Sequence, residues 1–93
     1  MEKLVYERLQ VRLRERLHRN PFLGNRREGY QTGIRCAMSK LHSVYHGEEK
    51  LSVKEMLEAL QRKLKKTPRK PVEQGFNIGL TAAMEEIKEE FEK

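Results

Sequence analysis

Histidine and cysteine are the residues most often used for metal binding and nucleophilic catalysis, and this chain has three histidines and one cysteine. His42 and His46 are spaced i, i+4, a separation with which two imidazoles on one helix face can bind zinc. Cys36 does not share that face, and the remaining candidate ligands are Glu48 and Glu49. Two ligands hold a metal weakly, so we predict no metal site, a solvated histidine pair and an unreactive thiol.

The chain contains no recognisable catalytic motif. It has no glycine-rich phosphate loop, no HExxH, no paired-cysteine motif and no serine on a strand-to-helix elbow. We therefore predict a binding protein without enzymatic activity or a cofactor. A single cysteine rules out an intrachain disulfide and fits a reducing, cytoplasmic location. Residues 1–8 are charged, unlike a secretory signal, and no apolar stretch is long enough for a bilayer, so we predict no membrane association.

Arginine carries most of the positive charge. Residues 1–50 hold 11 basic and 6 acidic side chains, so this half supplies +5 of the formal net charge of +6, and arginine outnumbers lysine by eight to three in it. Arginine is preferred where a phosphate is held by two hydrogen bonds at once. We predict an arginine-rich face that contacts nucleic acid or a nucleoprotein through Arg8, Arg12, Arg16, Arg19, Arg26 and Arg27. Their alternation with Glu7, Glu15 and Glu28 leaves a surface ion network as the alternative.

Two further charged segments lie in the second half of the chain. The basic run comprises Arg62, Lys63, Lys65, Lys66, Arg69 and Lys70, and the acidic end comprises Glu85, Glu86, Glu89, Glu90 and Glu92. Acidic residues near a helix C-terminus oppose the helix dipole, so the acidic end invites a basic partner: the basic run, another subunit or a foreign surface. A solvated face is the alternative. Aromatic residues make up only 6% of the chain, so any nucleic-acid contact is expected to be with phosphate rather than with bases.

The composition predicts an all-α protein. All 14 acidic residues are glutamate, a strong helix former like lysine, arginine and leucine, and aspartate, which favours caps and turns, is absent. This composition is also typical of heat-tolerant proteins, so we predict a thermophilic source. Apolar residues recur at helical spacing in four segments, which are marked by Val5–Leu17, Tyr30–Tyr45, Met56–Leu64 and Phe76–Phe91.

Local signals predict where these helices begin and end. Ser52 and Glu55 form a capping box before the third helix, which Thr67-Pro68 is expected to stop. Pro71 suits the first turn of the fourth helix, and Gly47 is placed as the glycine that follows the second. The first helix is expected to end at Asn20-Pro21 and Gly24-Asn25.

The second and fourth helices share one pattern at an offset of 46 residues. Gly29-Tyr30, Gly33-Ile34 and Ala37-Met38 correspond to Gly75-Phe76, Gly79-Leu80 and Ala83-Met84. With one residue deleted, the match extends back from Leu13, Leu17 and Pro21 to Leu60, Leu64 and Pro68. We therefore predict one domain over 1–93, a small four-helix bundle built as an internally duplicated αα-hairpin with pseudo-repeats 1–47 and 51–93.

Small residues form a stripe on each of these two helices. The stripes are Gly29, Gly33 and Cys36 on the second helix, and Gly75, Gly79 and Ala82 on the fourth. Small residues allow another backbone to approach closely. The sequence leaves three interpretations open: the two helices cross within the chain, one stripe forms a homodimer seam, or a ligand lies against it.

One longer motif carries a resemblance. Asn20-Pro21-Phe22 is followed by Glu28-Gly29-Tyr30, Gly33-Ile34, Ala37-Met38-Ser39, Leu41-His42 and Val44-Tyr45. This segment resembles short uncharacterised helical proteins encoded by phages and prophages of Gram-positive bacteria. The resemblance carries over no active site. It implies a regulator, an accessory of DNA metabolism or an inhibitor of host machinery such as RNA polymerase or a CRISPR nuclease.

A protein–protein interaction module is therefore the alternative function. Such an inhibitor would act on a host enzyme through the acidic end as well as the basic face. Leu4 and Val11 fall off the main apolar face of the first helix, seven residues apart, and form a narrow apolar strip that suits docking of a helix or subunit.

Overall fold

The computed structural model describes residues 1–92 and confirms the all-α prediction. Its four helices are α1 (Lys3–His18), α2 (Gly24–Tyr45), α3 (Val53–Gln61) and α4 (Pro71–Phe91). No β-strand occurs within the described residues. None of the helices in this part of the chain combines the length and the apolar character needed to cross a membrane.

Several helix ends follow the predicted local signals. Ser52 Oγ accepts a hydrogen bond from the Glu55 amide at 3.1 Å, and the Glu55 carboxylate accepts one from the Ser52 amide at 3.1 Å. Pro71 is the first residue of α4. Gly47 follows α2 with φ +77°, a conformation that side chains disfavour, and its amide donates to the Val44 carbonyl at 3.2 Å.

Two other ends differ from the prediction. Gly24 was expected to help end the first helix, but with φ +62° it begins α2. The third helix was expected to reach Leu64, but α3 ends at Gln61. Asn77 of α4 explains the early end, because its side chain accepts from the Lys65 amide and donates to the Lys65 carbonyl, both at 2.8 Å. These bonds replace those that a continued helix would make.

The helices surround a central pair. Arg26 and Tyr30 of α2 lie against Gly75 and Gly79 of α4 in that order, so α2 and α4 run parallel. Helix α1 runs antiparallel to both of them, and α3, which also packs on both, runs antiparallel to α4. Within residues 1–92, α1 and α3 do not contact each other, which places them on opposite sides of the central pair.

All four helices contribute to one core. Its fully buried members include Leu9 and Leu13 of α1, Ile34 of α2, Met56 of α3 and Ile87 of α4. Burying a side chain of this size contributes about 1.5–3 kcal/mol. The remaining buried apolar residues are Tyr30, Ala37, Leu41, Leu60, Leu80, Ala83 and Met84.

The four glycines of the small-residue stripes lie at the crossing of α2 and α4 within the chain. A Cβ atom on Gly29 would overlap the Val72 carbonyl, and one on Gly33 would overlap the Phe76 carbonyl. Gly75 and Gly79 face the carbonyls of Arg26 and Tyr30 in the same way. The other helix of the chain therefore occupies the space that a dimer seam on these glycines would need. Cys36 and Ala82 are half-buried beside the crossing.

The contacts at this crossing follow the offset found in the sequence. Gly29 meets Val72, three residues before Gly75, and Gly75 meets Arg26, three residues before Gly29. The two central helices are thus related by an approximate two-fold axis that runs between them. This symmetry places the starts of both helices at the same end of the bundle.

Candidate nucleic-acid interface

Three of the predicted phosphate-binding arginines form ion pairs with the acidic end of α4. Arg12 Nε donates to Glu86 Oε2 at 2.8 Å, and Arg12 Nη1 donates to Glu90 Oε2 at 2.9 Å. Arg16 Nη2 donates to Glu86 Oε1 at 2.8 Å, and Arg8 pairs with Glu90. These contacts join α1, over residues 8–16, to the C-terminal part of α4, over residues 86–90.

The ion pairs are partly shielded from water. The side chain of Glu86 is 13% exposed and that of Glu90 is 4% exposed. Burial tends to raise the pKa of Glu86, but hydrogen bonds from Arg16 and Arg12 outweigh it, so the net pKa lies below the ordinary value. Burial likewise tends to lower the pKa of Arg16, but its bonds to Glu86 and Tyr30 leave that pKa raised. Both groups therefore remain charged at neutral pH.

The partner of the acidic end is therefore α1 of the same chain. The basic run, another subunit and a foreign surface were the predicted partners, and α1 was not among them. The matching spacing was available as a signal, because Arg8, Arg12 and Arg16 repeat every four residues, as do Glu86 and Glu90. A phosphate that approached these three arginines would also meet the carboxylates paired with them, which disfavours binding there.

The other three predicted arginines are exposed where α2 begins. Arg19 follows α1, and Arg26 and Arg27 lie in the first turns of α2. Arg26 Nη2 donates to Gln74 Oε1 of α4 at 2.8 Å. This contact, between residues 48 positions apart, brings the start of α2 to the start of α4.

The basic run leads into the start of α4 and so reaches the same place. We call this surface the basic end. It comprises the exposed residues Arg19, Arg26, Arg27, Lys65, Lys66, Arg69 and Lys70. Lys65 Nζ lies 5.7 Å from the centre of the Phe76 ring, which holds this part of the run against α4. Both basic segments are visible in the sequence, but their proximity depends on the packing of α2 against α4.

Negative charge at the basic end is sparse. Glu73 is used as a cap: its carboxylate accepts from the Lys70 amide at 3.1 Å and from the Arg69 amide at 3.4 Å. These backbone bonds, led by that of Lys70, hold the pKa of Glu73 below its ordinary value. Glu28 is exposed in α2. Two parallel helices also begin here, and the positive ends of their dipoles add to the field of the basic side chains.

The basic end presents no aromatic surface for base stacking. The six aromatic side chains are all buried or half-buried, and the one nearest the basic run, Phe76, is half-buried at α4. Recognition there is therefore limited to charge and hydrogen bonding, which suits phosphate groups.

The histidine pair belongs to an aromatic cluster at the opposite end of α2. The hydroxyl of Tyr6 lies 3.0 Å from His42 Nδ1, and its ring stacks on Tyr45 with centroids 4.0 Å apart. The rings of His42 and His46 are 4.2 Å apart. Across residues 1–92, no three histidine, cysteine or acidic side chains are grouped closely enough to hold a metal ion. Both histidines are exposed, and Cys36 is half-buried.

The fold defines an all-α protein with a parallel central helix pair, an internal ion network and one strongly basic end. In comparisons with known proteins, no family model, curated protein or solved structure matches this chain. The resemblance to phage proteins therefore stays a prediction.

Proposed function

We propose that this protein is a non-enzymatic nucleic-acid-binding protein that contacts the phosphate backbone through its basic end. One observation carries the proposal: the parallel packing of α2 and α4 brings the start of α2, with Arg26 and Arg27, to the start of α4, which the basic run precedes. Two basic segments that are far apart in the sequence therefore lead to the same end of the helix bundle.

The chemistry of the basic end supports a sequence-independent mode of binding. Seven exposed cationic side chains lie there, with three glutamates nearby: Glu28, Glu15 beside Arg19, and Glu73, which is engaged as a helix cap. Cations that neutralise phosphates release condensed counterions, which makes binding favourable and strongly salt-dependent. Phosphate contacts position a protein on nucleic acid without reading its sequence. The formal net charge of +6 also favours rapid association with a polyanion.

The proposal can be tested by removing charge at the basic end without changing the fold. In one variant Arg27, Lys66 and Arg69 are replaced by glutamine, and in a matched control Arg14, Arg35 and Lys50 are replaced. All six residues are exposed. Both variants lose three positive charges, so they differ only in where the charge is removed.

Binding to a short DNA duplex and to single-stranded DNA is measured by fluorescence anisotropy between about 50 and 200 mM salt. We expect the first variant to bind at least about tenfold more weakly, and its dependence on salt to become shallower by about one unit of slope per lost contact. The control is expected to retain most of its affinity. Equal losses in both variants, or no binding of the unmodified protein at the lowest salt, would overturn the proposal.

A further inference from the structure

Two grooves lie at equivalent positions in the two halves of the chain. One lies between α1 and α2, and the other between α3 and α4. Their residues correspond at the offsets of the sequence repeat, 47 for the first helix of each hairpin and 46 for the second. The corresponding pairs are Tyr6 and Val53, Gln10 and Leu57, Met38 and Met84, His42 and Lys88, and Tyr45 and Phe91.

In the first groove an aromatic ring of the chain itself is held between the helices. The ring of Tyr6 is nearly parallel to that of Tyr45, with an interplanar angle of 6°. Its hydroxyl contacts His42 Nδ1 at 3.0 Å and accepts a hydrogen bond from Gln10 Nε2 at 3.3 Å. Stacking and hydrogen bonding together fix this ring in place.

The second groove has Phe91 in the position of Tyr45, but it has no ring in the position of Tyr6. Val53 stands in the position of Tyr6 and is too small to cover Phe91, which remains half-buried. Within residues 1–92 no aromatic ring stacks on Phe91. Leu57 replaces the polar Gln10, which makes this groove more apolar than the first. Its volume of about 570 Å³ falls within the range of small-ligand sites.

The rim of the second groove indicates what ring it would accept. Lys88 stands in the position of His42. Its ammonium group can only donate hydrogen bonds, so a ring bound beside it should carry an oxygen atom that accepts one. Lys54 adds a second donor, and Glu58 and Glu92 balance the two positive charges. A rim with two charges of each sign disfavours a charged ring substituent. A neutral phenol, which both donates and accepts, matches it.

We propose that the groove between α3 and α4 docks a tyrosine side chain of a partner protein, with the ring stacked on Phe91 and the hydroxyl at Lys88. A partner is favoured over a second copy of this chain, because Tyr30 is buried and Tyr6 and Tyr45 are half-buried and stacked on each other in their own fold. The groove shares no lining residue with the basic end, and its proposed role does not depend on nucleic-acid binding.

The docking site can be tested on the full chain by NMR of its methyl groups. The probes are N-acetyl-tyrosinamide, N-acetyl-phenylalaninamide and N-acetyl-leucinamide. We expect saturable ring-current shifts at the methyl groups of Val53, Leu57 and Met84 with the tyrosine probe, and weaker binding of the phenylalanine probe, which lacks the hydroxyl. Absence of saturable shifts, or equal affinity for the leucine probe, would overturn the proposal.

Variants separate this groove from the rest of the surface. Val53→Tyr rebuilds the arrangement of the first groove and should lower the affinity for the tyrosine probe at least tenfold. Phe91→Ala removes the stacking surface and should do the same. Val72→Tyr, at an exposed valine outside the groove, is the matched control and should leave binding unchanged. Retained binding in both groove variants contradicts the proposal. Methyl shifts that change with protein concentration in the absence of a probe would show that a second copy of the chain binds in the groove, and would also overturn the proposal.

Discussion

Arg12 Nε of α1 lies 2.8 Å from Glu86 Oε2 of α4, across 74 residues of sequence. This hydrogen bond is the centre of the network that binds the first helix to the last. The network also divides the six arginines predicted to bind phosphate into two groups. Arg8, Arg12 and Arg16 pair with carboxylates of α4, whereas Arg19, Arg26 and Arg27 lie at the basic end and form no ion pair within residues 1–92.

Removing the charge of Glu86 should destabilise the protein. In Glu86→Gln, Arg12 and Arg16 lose their shared carboxylate, and we expect the free energy of unfolding to fall by about 1–2 kcal/mol. The loss stays modest because the partial exposure of the arginines weakens the ion pairs. Urea denaturation followed by circular dichroism measures the change. Glu85→Gln is the control, since Glu85 is exposed and makes no ion pair within residues 1–92. Equal stability of the two variants would contradict the role of the network.

The same carboxylate should make stability depend on pH. Because the folded-state pKa of Glu86 is lowered, its contribution is complete above the unfolded-state pKa of about 4.3 and is lost as pH falls through the folded value. The stability difference between the unmodified protein and Glu86→Gln should therefore shrink below about pH 4. Denaturation curves over a pH series test this, and a constant difference would show that the charge of Glu86 is not involved.

Arg16 and Arg27 should behave differently when each is replaced by glutamine. Arg16→Gln breaks the pair with Glu86 and should lower stability by about 1 kcal/mol while leaving the salt dependence of nucleic-acid binding nearly unchanged. Arg27→Gln should leave stability within about 0.5 kcal/mol and make the salt dependence shallower. Thermal unfolding and anisotropy titrations of both variants provide the comparison. A shallower salt dependence in Arg16→Gln, with no change in Arg27→Gln, would indicate that the nucleic-acid interface lies on α1.

The glycine crossing sets two effects against each other. Alanine favours a helix over glycine by about 1 kcal/mol, so Gly33→Ala would be stabilising if the site were open. A Cβ atom there meets the Phe76 carbonyl and the Leu80 amide, backbone groups that cannot rotate away. We expect the clash to dominate and the variant to lose about 1–3 kcal/mol.

Thr32→Ala, at an exposed position on the same helix, is the control for helix propensity. Sedimentation of Gly33→Ala should show an unchanged mass, because the crossing lies within the chain. A stabilised Gly33→Ala, or a change from dimer to folded monomer, would contradict the crossing.

Asn77 should control the end of α3. Its side chain bonds both backbone groups of Lys65, and Asn77→Ala removes the two hydrogen bonds, for an expected loss of about 1–2 kcal/mol. Hydrogen exchange at the Lys65 amide should become faster. Asn25→Ala, at an exposed asparagine in α2, is the control. Unchanged exchange at Lys65 would show that another feature ends the helix.

Local signals in the sequence were sufficient for several of the helix ends. The capping box of Ser52, the first-turn Pro71 and the glycine after α2 act through neighbouring backbone groups, so their effects can be read without knowing the tertiary structure. The end of α3 could not be read in this way, because Asn77 lies 12 residues from Lys65 and reaches it only after folding.

The sequence by itself determined the helices, their apolar faces, the 46-residue pattern and the total charge. The tertiary structure decided which charges meet. Whether Arg12 faces solvent or Glu86, and whether Arg26 reaches Gln74, depends on the relative directions of α1, α2 and α4. Those directions are set by the packing of apolar faces and by the glycine crossing, and helical periodicity alone does not specify them.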